Sequence, residues 1–472
     1  MEDRHAIAAR CTDMARRLIE GRKVIVAGTL LAPGGAWVRG LRELGAGPFL
    51  IVATGIGTGQ LPSEDEAAWV VHEVAAQDTI DEFRQVERLM ADLPPEIVEA
   101  VERFDPDRSA LVVFPPFSSS RELCGRAAYG ARRPEWVAIE DKTTCDALFD
   151  AVGVRRPPNE IVAVERDAQL AAAARLDQGA GTVWSGDARD GFNGGGVFVR
   201  WIRPDADPTA IDEAVARFDG QCDHVRVAPF VEGIPCSIHG IVCTDGVAAL
   251  RPVEMVNLRA PGASQLHYAG AATFFDPPAE DRDEMREAVR RLGTLLAEEH
   301  GFRGTFTVDG IVGADGWVPT ELNPRFGAGI GYFGAQYPSV PVPLVHQMLV
   351  EGDASELRAA DVEALLLPAA DDVRWGGGWS MIRKAFGETE SVRVRFDGAR
   401  MVVAGEDEIS DGELLRGPNA IGGYVRVNFH PERMEKGPSI APKVVAALAL
   451  ADELWDAGIG PLEPPRDVRG AF

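Results

Sequence analysis

Residues 301–333, GFRGTFTVDGIVGADGWVPTELNPRFGAGIGYF, admit few folds. Apolar and polar residues alternate from Thr305 to Val312 and again from Trp317 to Asn323, the period of a strand. Between the runs stands Ala314-Asp315-Gly316. A three-residue hairpin loop wants its last residue left-handed, and glycine takes that conformation without strain. Such a loop sets Gly313 opposite Trp317 and Asp309 opposite Glu321. Asn323, two residues on, then points to the same side as Glu321. Two carboxylates and an amide oxygen share one face, a hard-oxygen set suited to Mg²⁺, which usually keeps waters and phosphate oxygens as further ligands. Arg325 follows, a permanently charged fork shaped for phosphate or carboxylate. The plainer alternative is an acidic hairpin with solvated charges.

The rest of the composition excludes more than it selects. A chain of 472 residues has room for two to four domains. No apolar run approaches the roughly 20 residues of a membrane span, and the first 20 residues lack the apolar core of a signal peptide. The expected location is cytoplasmic, with no membrane partner. Six scattered cysteines form no Cys-x-x-Cys pair, so they read as buried thiols. A net charge of −25 without a basic stripe repels nucleic acid. Only five of the 48 basic residues are lysine: Lys23, Lys142, Lys384, Lys436 and Lys443. Against that background a lysine more plausibly sits where an ammonium is needed.

Taken in order, the chain alternates helix and strand over about its first 140 residues, the pattern of a parallel α/β layer. Its strands read as 23–29, 49–54 and 110–114, closed by Trp136–Glu140. The glycines of Gly55-x-Gly57-x-Gly59 read as a turn, because no helix begins where a dinucleotide loop requires one. Thr29 and Ser118–Arg121, at strand ends, are candidate substrate contacts. Lys142 opens a helix that Thr143 or Thr144 could cap. Thr182–Gly196 is a glycine-rich hairpin whose amides could approach an anion closely, or which merely turns. Residues 257–280 read as a loop region, 280–300 as a charged helix, and 368–373 as a break. Beyond it, residues 371–472 read as a small α+β domain. His239 and His267 are possible proton acceptors, with packing roles as the plainer reading.

The order of these elements, with Asp309 followed by Glu321-Leu-Asn323-Pro-Arg325, resembles the ATP-grasp superfamily. The resemblance implies a pre-ATP-grasp α/β domain at 1–138, a two-part ATP-grasp fold at 139–350 (139–222 and 223–350), and a C-terminal α+β domain at 371–472. The whole is a mixture of α/β and α+β. It implies ATP and Mg²⁺, with Asp309, Glu321 and Asn323 on the metal and Arg325 as the catalytic cation. It further implies that Lys142 contacts nucleotide phosphates, that Gly194, Gly195 and Gly196 cover them, and that the backbone of Ala228, Pro229, Phe230 and Val231 holds adenine. The family's second phosphate lysine has no counterpart in Thr182-Val183-Trp184-Ser185, where Arg200 or Arg203 are the nearest substitutes. The runs Asp190–Gly196, Pro235–Gly240 and Arg251–Met255 look like the pheganomycin-type peptide ligases. The implied activity is ATP-dependent joining of a small-molecule or peptide carboxylate to an amine through an acyl phosphate, in peptide natural-product biosynthesis. Another ATP-grasp reaction, or a nucleotide-binding protein without catalysis, is the alternative, and a homodimer is left open.

Overall fold

The computed structural model describes residues 4–191, 196–334 and 337–470. Four sheets carry the architecture. The first is parallel, in the order β3-β2-β1-β4, from β1 (Val24–Thr29), β2 (Phe49–Ala53), β3 (Ala68–Val71) and β4 (Leu111–Val113). Helices α1 (Arg4–Ile19), α2 (Leu31–Glu43), α3 (Thr79–Ala91) and α4 (Pro95–Phe104) surround it. The all-apolar β2 is fully buried, as parallel strands between helical layers must be. A two-residue ribbon follows, β5 (Glu122–Leu123) with β6 (Arg126–Ala127). Trp136–Glu140, expected as a strand, is instead the end of α5 (Pro134–Val137) and a 3₁₀ turn over Ala138–Glu140. Pro134 at the first helical position favours that outcome.

Helix α6 (Cys145–Ala151) leads into the second sheet, which is antiparallel, in the order β7-β10-β8-β9. Its strands are β7 (Glu160–Ala163), β8 (Thr182–Ala188), β9 (Val199–Ile202) and β10 (Cys222–Pro229), with α7 (Arg166–Leu176) and α8 (Pro208–Phe218) alongside. Trp184, Phe198 and Phe218 give this lobe a core of its own. The third sheet, also antiparallel, runs β13-β12-β11-β14-β15. It contains β11 (Gly233–Val242), β12 (Val247–Arg259), β13 (Leu266–Ala272), β14 (Gly304–Gly313) and β15 (Gly316–Asn323), backed by α9 (Ala279–His300). Residues 257–280, expected as a loop region, thus contain the end of β12 and all of β13. One cluster joins Ile7, Met14 and Val24 to Ile241, Leu250 and Met348, so the first and third sheets share a core.

Helices α10 (Val342–Glu351) and α11 (Ala359–Asp372) come next, and α11 runs through Pro368 where a break was expected. The last sheet is antiparallel, in the order β16-β20-β19-β17-β18. Its strands are β16 (Gly377–Ile382), β17 (Glu390–Phe396), β18 (Met401–Val403), β19 (Gly412–Asn419) and β20 (Gly422–Phe429), with α12 (Ala441–Trp455) packed on one face. Glu254 of β12 fastens this unit to the third sheet. Its fully buried carboxylate accepts hydrogen bonds from Ser439 Oγ and from Ile440 N at 3.0 Å, and so caps α12 in place of a local side chain.

Burial raises the Glu254 carboxyl to about 7, against an ordinary value of 4.5. Between those values the folded chain binds more protons than the unfolded one, so stability falls as pH rises. The contribution is complete below pH 4.5 and lost once pH passes about 7. Glu254→Gln should remove this fall, on the order of 3 kcal/mol across the window. Urea midpoints at pH 5 and pH 8 check it: the wild-type midpoint must drop more than that of the variant.

Candidate active site

The hairpin of β14 and β15 delivers its acids side by side, by a route other than the expected one. Gly313 pairs with Gly316, so the loop has two residues, Ala314 and Asp315. Gly316 takes φ +103°, the conformation only glycine holds easily. The register then slips between Asp309 and Gly310: Gly310 faces Pro319, whereas Asp309 faces Glu321. Thr320 is the extra residue of this bulge, and its hydroxyl donates to Asp309 O at 3.2 Å. A loop shorter by one residue and a bulge of one residue cancel, leaving Asp309 and Glu321 opposite each other on one face.

Ser237 of β11 donates from Oγ to Asp309 Oδ1 at 2.5 Å. The Asn323 amide nitrogen donates to Asp309 Oδ2 at 2.9 Å and to Glu321 Oε1 at 3.0 Å. The amide thus presents nitrogen to the carboxylates where the sequence led one to expect oxygen. The oxygen accepts from Arg325 Nη2 at 3.0 Å. Lys142, buried on the segment before α6, places Nζ 2.7 Å from Glu321 Oε2. Neither Thr143 nor Thr144 caps α6; Asp141 Oδ1 instead accepts from Thr143 N and Oγ1.

A second row of charge stands behind the first. Glu140, 4% exposed, accepts from Arg325 Nε at 2.8 Å and from Arg132 Nη2 at 2.6 Å. Glu140 was not singled out in the sequence because its segment reads as an apolar strand. Ser237 lies within the run Pro235–Gly240 but was not singled out, because its partner Asp309 is 72 residues away.

These contacts set the protonation states. Burial raises the Asp309 carboxyl strongly, and the neighbouring Glu321 charge raises it further. Burial works on Glu321 in the same direction, but the Lys142 ammonium outweighs it and holds Glu321 below the ordinary value. Lys142 is raised for the converse reason, since Glu321 overcomes desolvation. Glu140 is likewise held down, against burial, by Arg325 and Arg132. Two adjacent half-buried carboxylates, the Glu321 charge raising the Asp309 carboxyl, present oxygens that suit Mg²⁺. The fit rests on these two side chains: among the described residues no group of three or more His, Cys, Asp or Glu could hold a metal.

The remaining candidates are dispersed or engaged. Ala228 and Pro229 pair with Val183 and Thr182, and Phe230 N donates to Gly181 O at 2.9 Å. The Phe230 ring stacks on Trp201 at 4.1 Å, with Arg203 over the other ring at 4.2 Å. Val231 is half-buried just beyond β10. Gly196 has φ +66° and open space around its α-carbon, while Gly194 and Gly195 lie outside the described residues. Arg200 and Arg203 spend guanidinium hydrogens on backbone carbonyls, those of Val197 and Val199 and those of Ala263 and Ala260. Across from Ser185 stands Arg226, locked to Asp146 of α6 at 2.6 and 2.9 Å. Ser118, Ser119 and Ser120 wrap around Glu87. His239 is buried, donates or accepts at Thr307 Oγ1, and packs under Gly327 and Gly329. Burial pulls it down to about 3, and it also lowers His267.

No protein-family model and no curated protein matches the chain. Among solved structures it is similar to an L-amino acid ligase from Bacillus licheniformis, at 13% identity and TM-score 0.49, over 94% of this chain and 98% of that one. It is also similar to phosphoribosylamine–glycine ligase from Thermotoga maritima, at 13% identity and TM-score 0.46, over 94% and 97%. A third is carboxyaminoimidazole ribonucleotide synthase from Aspergillus clavatus complexed with ATP, at 11% identity and TM-score 0.47, over 93% and 98%. At such values the likeness carries no chemistry; the side chains do.

Glu140→Ala leaves two guanidinium groups without their shared carboxylate. Removing one partner of a buried ion pair costs about 3–5 kcal/mol. The variant should therefore unfold at lower denaturant by that amount, and chemical denaturation of both proteins reads it. A loss under about 1 kcal/mol would show that Glu140 does not hold Arg325.

Proposed function

We propose that this chain is an ATP- and Mg²⁺-dependent carboxylate–amine ligase of the ATP-grasp type. The observation that carries the reading is the Asp309–Glu321 pair, set between the Lys142 ammonium and the Arg325 guanidinium. A carboxylate acylates poorly because its leaving group is oxide. Transfer of the γ-phosphoryl of ATP to a carboxylate oxygen releases ADP and gives an acyl phosphate. An amine then attacks the carbonyl carbon, phosphate leaves with the bonding pair, the nitrogen loses a proton, and an amide remains.

Such chemistry asks the protein chiefly for positioning and charge. Asp309 and Glu321 would hold Mg²⁺, which supplies charge neutralisation for the phosphate oxygens when bound. Lys142 brings a further positive charge beside Glu321. Arg325, fixed by Glu140 and Asn323, faces the transferring phosphoryl and the oxyanion that forms on amine attack. The residues before and after the glycine run, with Gly196 unhindered, would let the loop cover the phosphates and keep water from the acyl phosphate. The hinge would hold adenine through the backbone of Val231 and the carbonyls of Ala228–Phe230, since Phe230 N is already engaged. The three runs that resemble peptide ligases favour an amino-acid or peptide amine, in natural-product biosynthesis. The units 1–138, 139–350 and 371–472 would then act as nucleotide-flanking, nucleotide-binding and substrate-closing parts.

A second reading, a nucleotide-binding protein without ligase activity, is favoured by one observation: Arg200 and Arg203 are spent on backbone carbonyls and do not replace the missing lysine.

ADP release with paired acids and amines decides between them. Glu321→Ala should lower it about a hundredfold or more while circular dichroism is unchanged. Near-normal turnover in that variant would remove Glu321 from the site. Lys142→Ala should raise the ATP concentration for half-maximal rate by about tenfold or more; an unaltered ATP dependence would take Lys142 out of the phosphate contacts.

A further inference from the structure

The C-terminal sheet has two unlike faces. Leu414, Val425 and Val427 point into the core with α12. The opposite face carries Trp379 and Met381 of β16 beside Arg426 and Tyr424 of β20, in register as Trp379 with Arg426 and Met381 with Tyr424. These side chains are half-buried, apart from the exposed Arg426. Trp379 meets Tyr268 of β13 edge-on at 5.4 Å and lies 6.0 Å from Tyr424. Tyr268 stands near enough to the row that the charges of Asp309 and Arg325 act on its hydroxyl. Tyr332, on the turn after Arg325, and Tyr424 both feel the Arg426 charge. At the edge of this face Thr79, at the start of α3, reaches Met381 Sδ at 3.7 Å, and Thr58 donates to Pro418 O at 2.8 Å.

Four polar groups in this wall have no protein partner. Among the described residues, the hydroxyls of Tyr268, Tyr332 and Tyr424 and the guanidinium of Arg426 make no hydrogen bond or ion pair. For Arg426 that is notable in a chain with 73 acidic and 48 basic residues. A planar fork suits a carboxylate, and the ring of Trp379, opposite Arg426 across the strand pair, suits an apolar body beside it.

We propose that Trp379, Tyr268, Tyr332, Tyr424 and Arg426 form the recognition site for a substrate with an aromatic or bulky apolar side chain and a carboxylate that does not react. The substrate is an α-amino acid or short peptide, held by its carboxylate at Arg426 with its amine directed along Tyr268 toward Asp309 and Arg325. This rests on the ligase reading for the use made of the amine, but the binding itself does not require turnover.

Titration of phenylalanine and phenylalaninamide, followed by tryptophan fluorescence of the full chain, tests it. Phenylalanine should bind at least about tenfold tighter than the amide, because a charge-assisted fork contact is lost with the carboxylate. Arg426→Gln should erase that preference, and Arg426→Lys should restore only part of it. Trp379→Ala should weaken both ligands together. Equal binding of acid and amide by the wild type, no binding of either, or an undiminished preference in Arg426→Gln would overturn the assignment. ADP release measured separately with the same amines tests the ligase reading, so the two can fail independently.

Discussion

The structure depends on a costly contact: two half-buried carboxylates, Asp309 and Glu321, facing each other on one side of a sheet. Like charges in a poorly solvated place repel and lack water. Every neighbour can be understood as an answer to that cost. Ser237 and Asn323 donate hydrogen bonds, Lys142 pairs with Glu321, and Arg325 approaches through Asn323. The answers create obligations of their own. Arg325 and Arg132 must share Glu140, which fixes where the segment before Lys142 can lie. The position of Glu140 and Lys142 beside the hairpin is thus tied to one local problem of charge.

The facing of the two acids is legible in the sequence, although the loop has two residues and not three. Strand alternation and Gly316 mark the hairpin from sequence. Loop length and bulge position do not show there, because a two-residue loop with a bulge and a three-residue loop without one give the same pairing at Asp309. The parallel sheet, the acidic row and the separate C-terminal sheet were legible because each rests on periodicity, which is local. Trp136–Glu140 was misread because a short apolar run fits a strand and a buried helix equally. Residues 257–272 read as a loop because Gly and Pro argue locally, while β13 forms only through its pairing with β12.

What stayed hidden in the site is of one kind. Glu140, Ser237 and Arg226 matter through partners distant in sequence: Arg325, Asp309 and Asp146. A single chain carries no mark of such pairings. Residue type offered a partial signal for Lys142 alone, since the chain otherwise draws its positive charge from arginine. Conversely, Arg200 looked available in sequence and is used up by the carbonyls of Val197 and Val199.

The charge balance of the cluster then bears on how a polyanion could enter. Asp309, Glu321 and Glu140 contribute three carboxylates; Lys142, Arg325 and Arg132 contribute three cations. Fully ionised, the set is neutral and its members are committed to one another. A triphosphate drawn toward Lys142 and Arg325 competes with Glu321 and Asn323 for them, and frees acid as fast as it gains base. On the proposed ligase reading, a cation held by Asp309 and Glu321 would supply the positive charge that corrects this. On the ligase reading, nucleotide and metal are therefore coupled by the protein's own ion pairs. On that reading, the repulsion between the half-buried Asp309 and Glu321 would make the site receptive to that pair and poorly receptive to either member alone.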